Sequence, residues 1–222
     1  MSNQDRSNTT KKSTVYVALI TALAIIIGSV ILGLGGQPST QDATAESTPA
    51  AALPTAGITA TNKAVISFTT NQGEIVIDTI PALAPQTVNA LSSLAQSNYF
   101  DGTICHRLTT EGIFVLQCGD PTGTGSGGPG FNIPDENLPE AKENNYPAGT
   151  VAMANAGPGT SGSQFFLVYQ DTTLGPDYTI WGTVTSGLDI LKTIASAGVV
   201  DGGADGTPKT SVTIESTKVT IS

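Results

Sequence analysis

One histidine, two cysteines and one tryptophan among 222 residues leave little material for several kinds of chemistry. With His106 alone, no grouping of Cys and His has the spacing that holds a metal ion. A Ser-His-Asp hydrolase would have to use the same His106, yet no serine lies in a G-x-S-x-G elbow. No G-K-[ST] is present, so ATP lacks a phosphate cradle. Gly123, Gly125 and Gly128 satisfy G-x-G-x-x-G in form, but Pro129, Gly130 and Pro134 follow where a dinucleotide loop would open a helix. Asp120, Asp135 and Glu136 read as loop carboxylates, not as the acid pair of a glycosidase. No cofactor is expected.

Charge is also scarce, at 12% of residues, and mostly of one sign: 9 Lys and Arg against 18 Asp and Glu. An acidic domain repels phosphates, which excludes nucleic acid as a partner. The few cations cluster early, with Arg6, Lys11 and Lys12 in the first dozen positions. From Val15 to Leu34 no residue is charged. A helix of that length, at about 1.5 Å per residue, spans roughly the 30 Å of a bilayer's hydrocarbon. A cleavable signal peptide is the alternative, but its apolar region is about 7–15 residues and ends at once in an A-x-A-like site. Here the first such site, Ala43-Thr44-Ala45, lies well beyond the run. Residues 13–36 are therefore read as a transmembrane anchor. Lys11 and Lys12 keep 1–12 as a cytoplasmic tail, and the remainder faces outward. Residues 37–62, rich in Ser, Thr, Ala and Pro, read as a linker.

What is plentiful is Gly (25), Pro (13) and short runs of Val, Ile and Thr, the composition of a loop-rich β domain over 63–222. Short strands are expected at 65–68 and 74–77, joined through Asn71-Gln72-Gly73, and at 104–108, 114–117, 150–153, 165–169, 179–184 and 211–221. Helices are expected from Pro85, with Val88, Leu91, Leu94 and Ala95 on one face, and over 188–197, capped by Ser186 and ended by Gly198. Many strands with two helices suggest a sheet closed on itself, which removes exposed edges. Cys105 and Cys118 flank an expected hairpin. They either pair, as an oxidising outer compartment favours, or stay as two buried thiols.

Polar residues stand out within otherwise apolar strands. Cys105-His106-Arg107-Leu108 is followed by Phe114-Val115-Leu116-Gln117-Cys118-Gly119-Asp120-Pro121, then Met153-Ala154-Asn155-Ala156-Gly157-Pro158, then Gly162-Ser163-Gln164-Phe165-Phe166. This ordered set resembles the cyclophilins over essentially all of the chain from Ala64 onward. The resemblance implies an all-β fold, an eight-stranded antiparallel closed barrel capped by two helices, here preceded by one transmembrane helix. It implies catalysis of peptidyl-prolyl cis–trans isomerisation, with Arg107 as the catalytic arginine and Phe114 and Gln117 beside it. Val115, Phe166 and Leu174 would complete the proline pocket, with Tyr178 at its edge. Ala154, Asn155 and Gln164 would line the groove for the peptide backbone, with His106 adjoining.

Three positions depart from the family pattern. Leu108–Ile113 is about two residues longer than usual beside Arg107, Val115 replaces a common methionine, and Thr173 stands where many relatives carry a cyclosporin-contacting tryptophan. The expected partners are proline-containing segments of secreted or surface proteins, handled by a monomer. The alternative function is a non-catalytic, membrane-tethered module that binds proline peptides.

Overall fold

A computed structural model describes residues 52–222 of the chain. Strand β1 (Ala64–Thr70) buries Ala64, Ile66, Phe68 and Thr70 with the two-residue period of extended chain, and β2 (Gly73–Thr79) answers with Ile75, Ile77 and Thr79. The turn at Asn71–Gln72 sets their register, placing Ile66 opposite Ile77 and Phe68 opposite Ile75. The later strands are β3 (Arg107–Thr109), β4 (Val115–Cys118), β5 (Thr150–Met153), β6 (Phe165–Val168), β7 (Ile180–Ser186), β8 (Asp205–Gly206) and β9 (Ile214–Ile221). They form one antiparallel sheet in the order β8-β3-β4-β6-β5-β7-β2-β1-β9.

That order corrects the expected closed eight-stranded barrel. The described sheet has nine strands and is open, a half-barrel with β8 and β9 at its edges. The two-residue β8 takes the free edge of β3, while β9 pairs only with β1. Ile104 bridges Thr213 and the Cys105 amide donates to the Val212 carbonyl at 2.9 Å, but these isolated contacts do not extend into a ladder. The extra strand, β8, is the two-residue Asp205–Gly206 and carries no apolar alternation that would mark it in the sequence.

The expected transmembrane helix over 13–36 lies outside the described residues, as do the 1–12 tail and the first part of the 37–62 linker. Among the described residues, no helix is long and apolar enough to cross a membrane. The end of the linker is docked on the domain. Ile58 is buried in the core, and its amide and carbonyl bond the two ends of the Asn89 side-chain amide at 2.9 and 2.7 Å.

Helix α1 (Pro85–Gln96) starts with Pro85, whose missing N–H costs nothing there, and buries Val88, Leu91, Leu94 and Ala95. Its free amides are satisfied from a distance. Gln86 and Thr87 donate backbone N–H to the Glu136 carboxylate at 3.0 and 2.8 Å, where negative charge suits a helix start. Helix α2 (Leu188–Ala197) buries Leu191 and Ile194 and ends at Gly198. Its cap is Gly187 instead of Ser186, because the backbone there turns left-handed (φ 92°), a conformation glycine adopts freely.

Strands β4, β5 and β6 are covered on both faces. Leu116, Val151, Met153, Phe165 and Leu167 join the main core beneath the sheet. Val115, Ala152, Phe166 and Val168 point the other way and form a second, smaller cluster with Tyr146.

Candidate active site

The second cluster lies beside a row of cross-strand partners. Arg107 on β3 is opposite Gln117 on β4, Gln117 is opposite Phe166 on β6, and Phe166 is opposite Ala152 on β5. Neighbouring strands are about 4.8 Å apart, so a cation, an amide and an aromatic ring succeed one another across roughly 10 Å.

The cation is held firmly. Arg107 Nε donates to Asp205 Oδ1 at 2.8 Å and Nη2 to Oδ2 at 2.7 Å, a two-pronged pair. Hydrogen bonding to Asp205 raises the guanidinium's already high pKa, partly offset by burial, and lowers that of the Asp205 carboxyl. Nη1 donates to Gln117 Oε1 at 3.3 Å. Gln117 Nε2 then donates to Gln164 Oε1 at 2.9 Å, and Gln164 Nε2 to the carbonyls of Gly125 and Gly127 at 3.0 and 2.9 Å. Each amide has its oxygen towards the preceding donor, so the chain runs in one direction from Arg107 to the glycine loop.

That loop is organised by Asp120, which is fully buried. Its Oδ1 accepts from the Thr122 amide and hydroxyl at 2.7 and 2.8 Å, and its Oδ2 from the Gly125 and Gly127 amides at 2.6 and 3.1 Å. Burial pushes the carboxyl's pKa up, but these bonds outweigh it and bring it down to about 2. Preceding it, Gly119 has φ 86°, and a Cβ there would collide with the Ser163 carbonyl, so only glycine fits. Gln117, Ala154, Asn155 and Gln164 line one cleft of about 800 Å³ together with this loop. Asn155 shapes its rim, donating to the Asp177 carbonyl at 2.8 Å and accepting from the Gly157 amide at 3.1 Å.

His106 packs near Gly125, and neither ring nitrogen has a hydrogen-bond partner. Burial lowers its pKa; Asp120 opposes that shift and Arg107 adds to it. A disulfide joins Cys105 to Cys118, with α-carbons 4.0 Å apart. It ties together the two segments that carry Arg107 and Gln117. Among the described residues, no three His, Cys, Asp or Glu side chains gather as a metal site requires.

The second apolar cluster joins Val115 and Phe166, with Ala154, Leu174 and Tyr178 packed against them. Phe166 meets Tyr178 edge-on at 5.5 Å. The segment carrying Leu174 and Tyr178 is pinned from below. Asn145 exchanges two hydrogen bonds with the Leu174 backbone, at 2.8 and 3.0 Å. The Tyr146 hydroxyl donates to the Gly175 and Tyr178 carbonyls and accepts from the Tyr178 amide at 3.1 Å. Burial raises the Tyr146 pKa to about 12, so it remains a neutral donor.

Phe114 is not in this cluster. It packs against the main core, with its ring edge-on to Tyr169 at 6.0 Å. Ile113 stands with Val115 and Phe166 in its place. Phe114 immediately precedes β4 (Val115–Cys118), and there Ile113, not Phe114, packs with Val115 and Phe166. Asp205 and Tyr146 were likewise not read from the sequence. Tyr146 follows no motif, and Asp205 becomes relevant only through β8.

The chain is similar to known proteins. The family model "Cyclophilin type peptidyl-prolyl cis-trans isomerase/CLD" matches residues 65–219. The probable peptidyl-prolyl cis-trans isomerase B of Mycobacterium tuberculosis (strain H37Rv) is 50% identical over 177 residues, covering 74% of this chain and 58% of that protein. The chain thus spans somewhat more than half the length of that relative. Peptidyl-prolyl cis-trans isomerase B of Bacillus subtilis is 39% identical over 128 residues, covering 57% of this chain and 87% of that protein. A crystal structure of a Cryptosporidium parvum cyclophilin type isomerase in the presence of the dipeptide Ala-Pro superposes with a TM-score of 0.61 at 29% identity, covering 70% of this chain and 98% of that one. From the ordered motifs, the half-barrel and these matches, the chain belongs to the cyclophilin-type peptidyl-prolyl cis-trans isomerase family.

Proposed function

We propose that this chain catalyses cis–trans isomerisation of peptide bonds preceding proline, and that it does so outside the cytoplasm. The observation that carries the reading is the row Arg107–Gln117–Phe166, a fixed cation beside an apolar cluster. The X-Pro bond resists rotation because the nitrogen lone pair is shared with the carbonyl, and uncatalysed exchange takes about tens to hundreds of seconds. A proline ring seated against Val115, Phe166 and Leu174 stays still while the carbonyl side turns. A guanidinium N–H directed at the prolyl nitrogen stabilises its pyramidal form and weakens the sharing. Arginine suits this role because it stays charged and offers donors in a rigid fork. The apolar walls exclude water and so strengthen that donation. Gln117 faces the backbone of the bound peptide along the adjoining cleft, and Gln164, bonded to the glycine loop, holds Gln117 in place.

The disulfide supports the location, since such bonds persist in oxidising compartments. The uncharged run Val15–Leu34, with Lys11 and Lys12 before it, supports a place at the membrane with the domain outward. Alkylation of intact cells tests this: Cys105 and Cys118 should resist labelling until reduced, and free thiols would argue for a reducing compartment.

A protease-coupled isomerisation assay on a proline tetrapeptide tests the activity. The wild-type chain should accelerate exchange, and Arg107→Ala should lose about 100-fold or more while its circular dichroism stays unchanged. Tight peptide binding without acceleration would instead favour a non-catalytic binding module.

A further inference from the structure

Asp205 lies 98 residues beyond Arg107 and reaches it only because β8 pairs with β3. Thr109 is opposite Asp205 and Leu108 opposite Gly206, which sets the carboxylate diagonally across from Arg107. The Thr110 amide extends this pairing by donating to the Ala204 carbonyl at 2.8 Å. The pair is half exposed, with side-chain accessibilities of 40% and 53%, and an ion pair in that setting adds little to stability. Its geometry is more informative than its strength. Both oxygens grip the Nε–Nη2 edge of the guanidinium and leave Nη1 directed at Gln117. Because the group is planar, fixing one edge fixes the direction of every remaining N–H.

We infer that Asp205 is a positioning residue for Arg107: it holds the guanidinium plane so that Nη1 faces the groove before a peptide arrives. This rests on the isomerase reading above. Asp205 touches no reacting atom; it acts by removing the orientations in which the arginine side chain extends into water. Misplacement of a catalytic group lowers the rate of turnover more than the affinity for substrate. The 204–206 segment also braces the chain after Arg107, since Thr109 and Thr110 pair with it directly.

The test compares the full wild-type chain with Asp205→Ala, Asp205→Asn and Asp205→Glu, and with Asp205→Ala combined with Arg107→Ala. In isomerisation kinetics, Asp205→Ala should lower kcat about tenfold, equivalent to about 1.4 kcal/mol of barrier, with KM and the thermal midpoint little changed. Asp205→Glu, which keeps both oxygens, should recover most of the rate. In the Arg107→Ala background, Asp205→Ala should have no further effect, because its action passes through that side chain. Wild-type kcat in both Asp205→Ala and Asp205→Asn, or an undiminished tenfold loss without Arg107, would overturn the inference. Should Asp205→Ala fail to fold, Asp205→Asn, of matching shape, carries the comparison. An inactive wild-type chain overturns the isomerase reading and the inference together, whereas an active one indifferent to Asp205 overturns the inference alone.

Discussion

Phe165 and Phe166 are adjacent in sequence and lie on opposite faces of β6. Phe165 stacks on Phe68 at 5.4 Å and meets Trp181 edge-on at 5.8 Å in the main core. Phe166 faces Tyr178 and Tyr146 at 5.5 and 6.1 Å in the second cluster, beside the candidate site. The period of the strand places one ring in the main core and the other in the second cluster. Phe165→Ala should cost about 3–5 kcal/mol of stability through the cavity it leaves. Phe166→Leu, closer in volume, should cost about 1 kcal/mol and raise KM for proline peptides. Urea denaturation alongside steady-state kinetics separates the two effects; equal losses of stability would remove the division between the faces.

Asp120 links stability to acid. Its carboxyl titrates at about 2 in the folded chain against 3.8 when free. The unfolded chain therefore takes up this proton first as pH falls. The stabilisation is complete above about pH 4 and is lost as pH falls towards 2, and it amounts to about 2 kcal/mol. Asp120→Asn should remove most of it at pH 7 and flatten the acid limb of a stability–pH curve. Amide exchange at Gly125 and Gly127 should also quicken.

His106 has the opposite charge type and the same direction of pH dependence. Burial depresses its pKa below 6.5, so below that value the unfolded chain binds a proton that the folded chain resists. Stability should be full above pH 6.5 and decline as pH falls through it. His106→Gln, which carries no titrating ring, should lose that slope. An NMR titration of the imidazole showing a pKa above 6.5 would contradict the prediction.

Reduction of the Cys105–Cys118 disulfide opens a loop with a sequence separation of 13. The chain-entropy estimate for a loop near this length is about 3 kcal/mol. The urea midpoint should fall in dithiothreitol, and the Cys105→Ala, Cys118→Ala double variant should match the reduced wild type without further response to reductant.

Much of this arrangement was legible from local patterns. The alternation in Ala64–Thr79 specifies a hairpin and its buried face, Pro85 starts a helix, and Gly198 ends one. Arg107 of β3, Gln117 of β4 and Gln164 just before β6 stand out because apolar strands rarely carry Arg and Gln at such positions without a partner. These features depend on near neighbours in the chain, so the amino-acid order alone determines them. The strand order, the open edge and the short β8 depend on which distant segments meet, and no local period encodes that choice. Phe114 illustrates the limit. Its place in a motif suggested a position beside Arg107, but on entering β4 it is Ile113 that packs with Val115 and Phe166. Asp205 shows the same limit from the other side: an ordinary loop carboxylate in the sequence, it becomes the partner of Arg107 because a two-residue strand pairs across 98 residues. Periodicity acts over a few residues, whereas the direction in which one guanidinium points is decided by contacts that exist only once the sheet has formed.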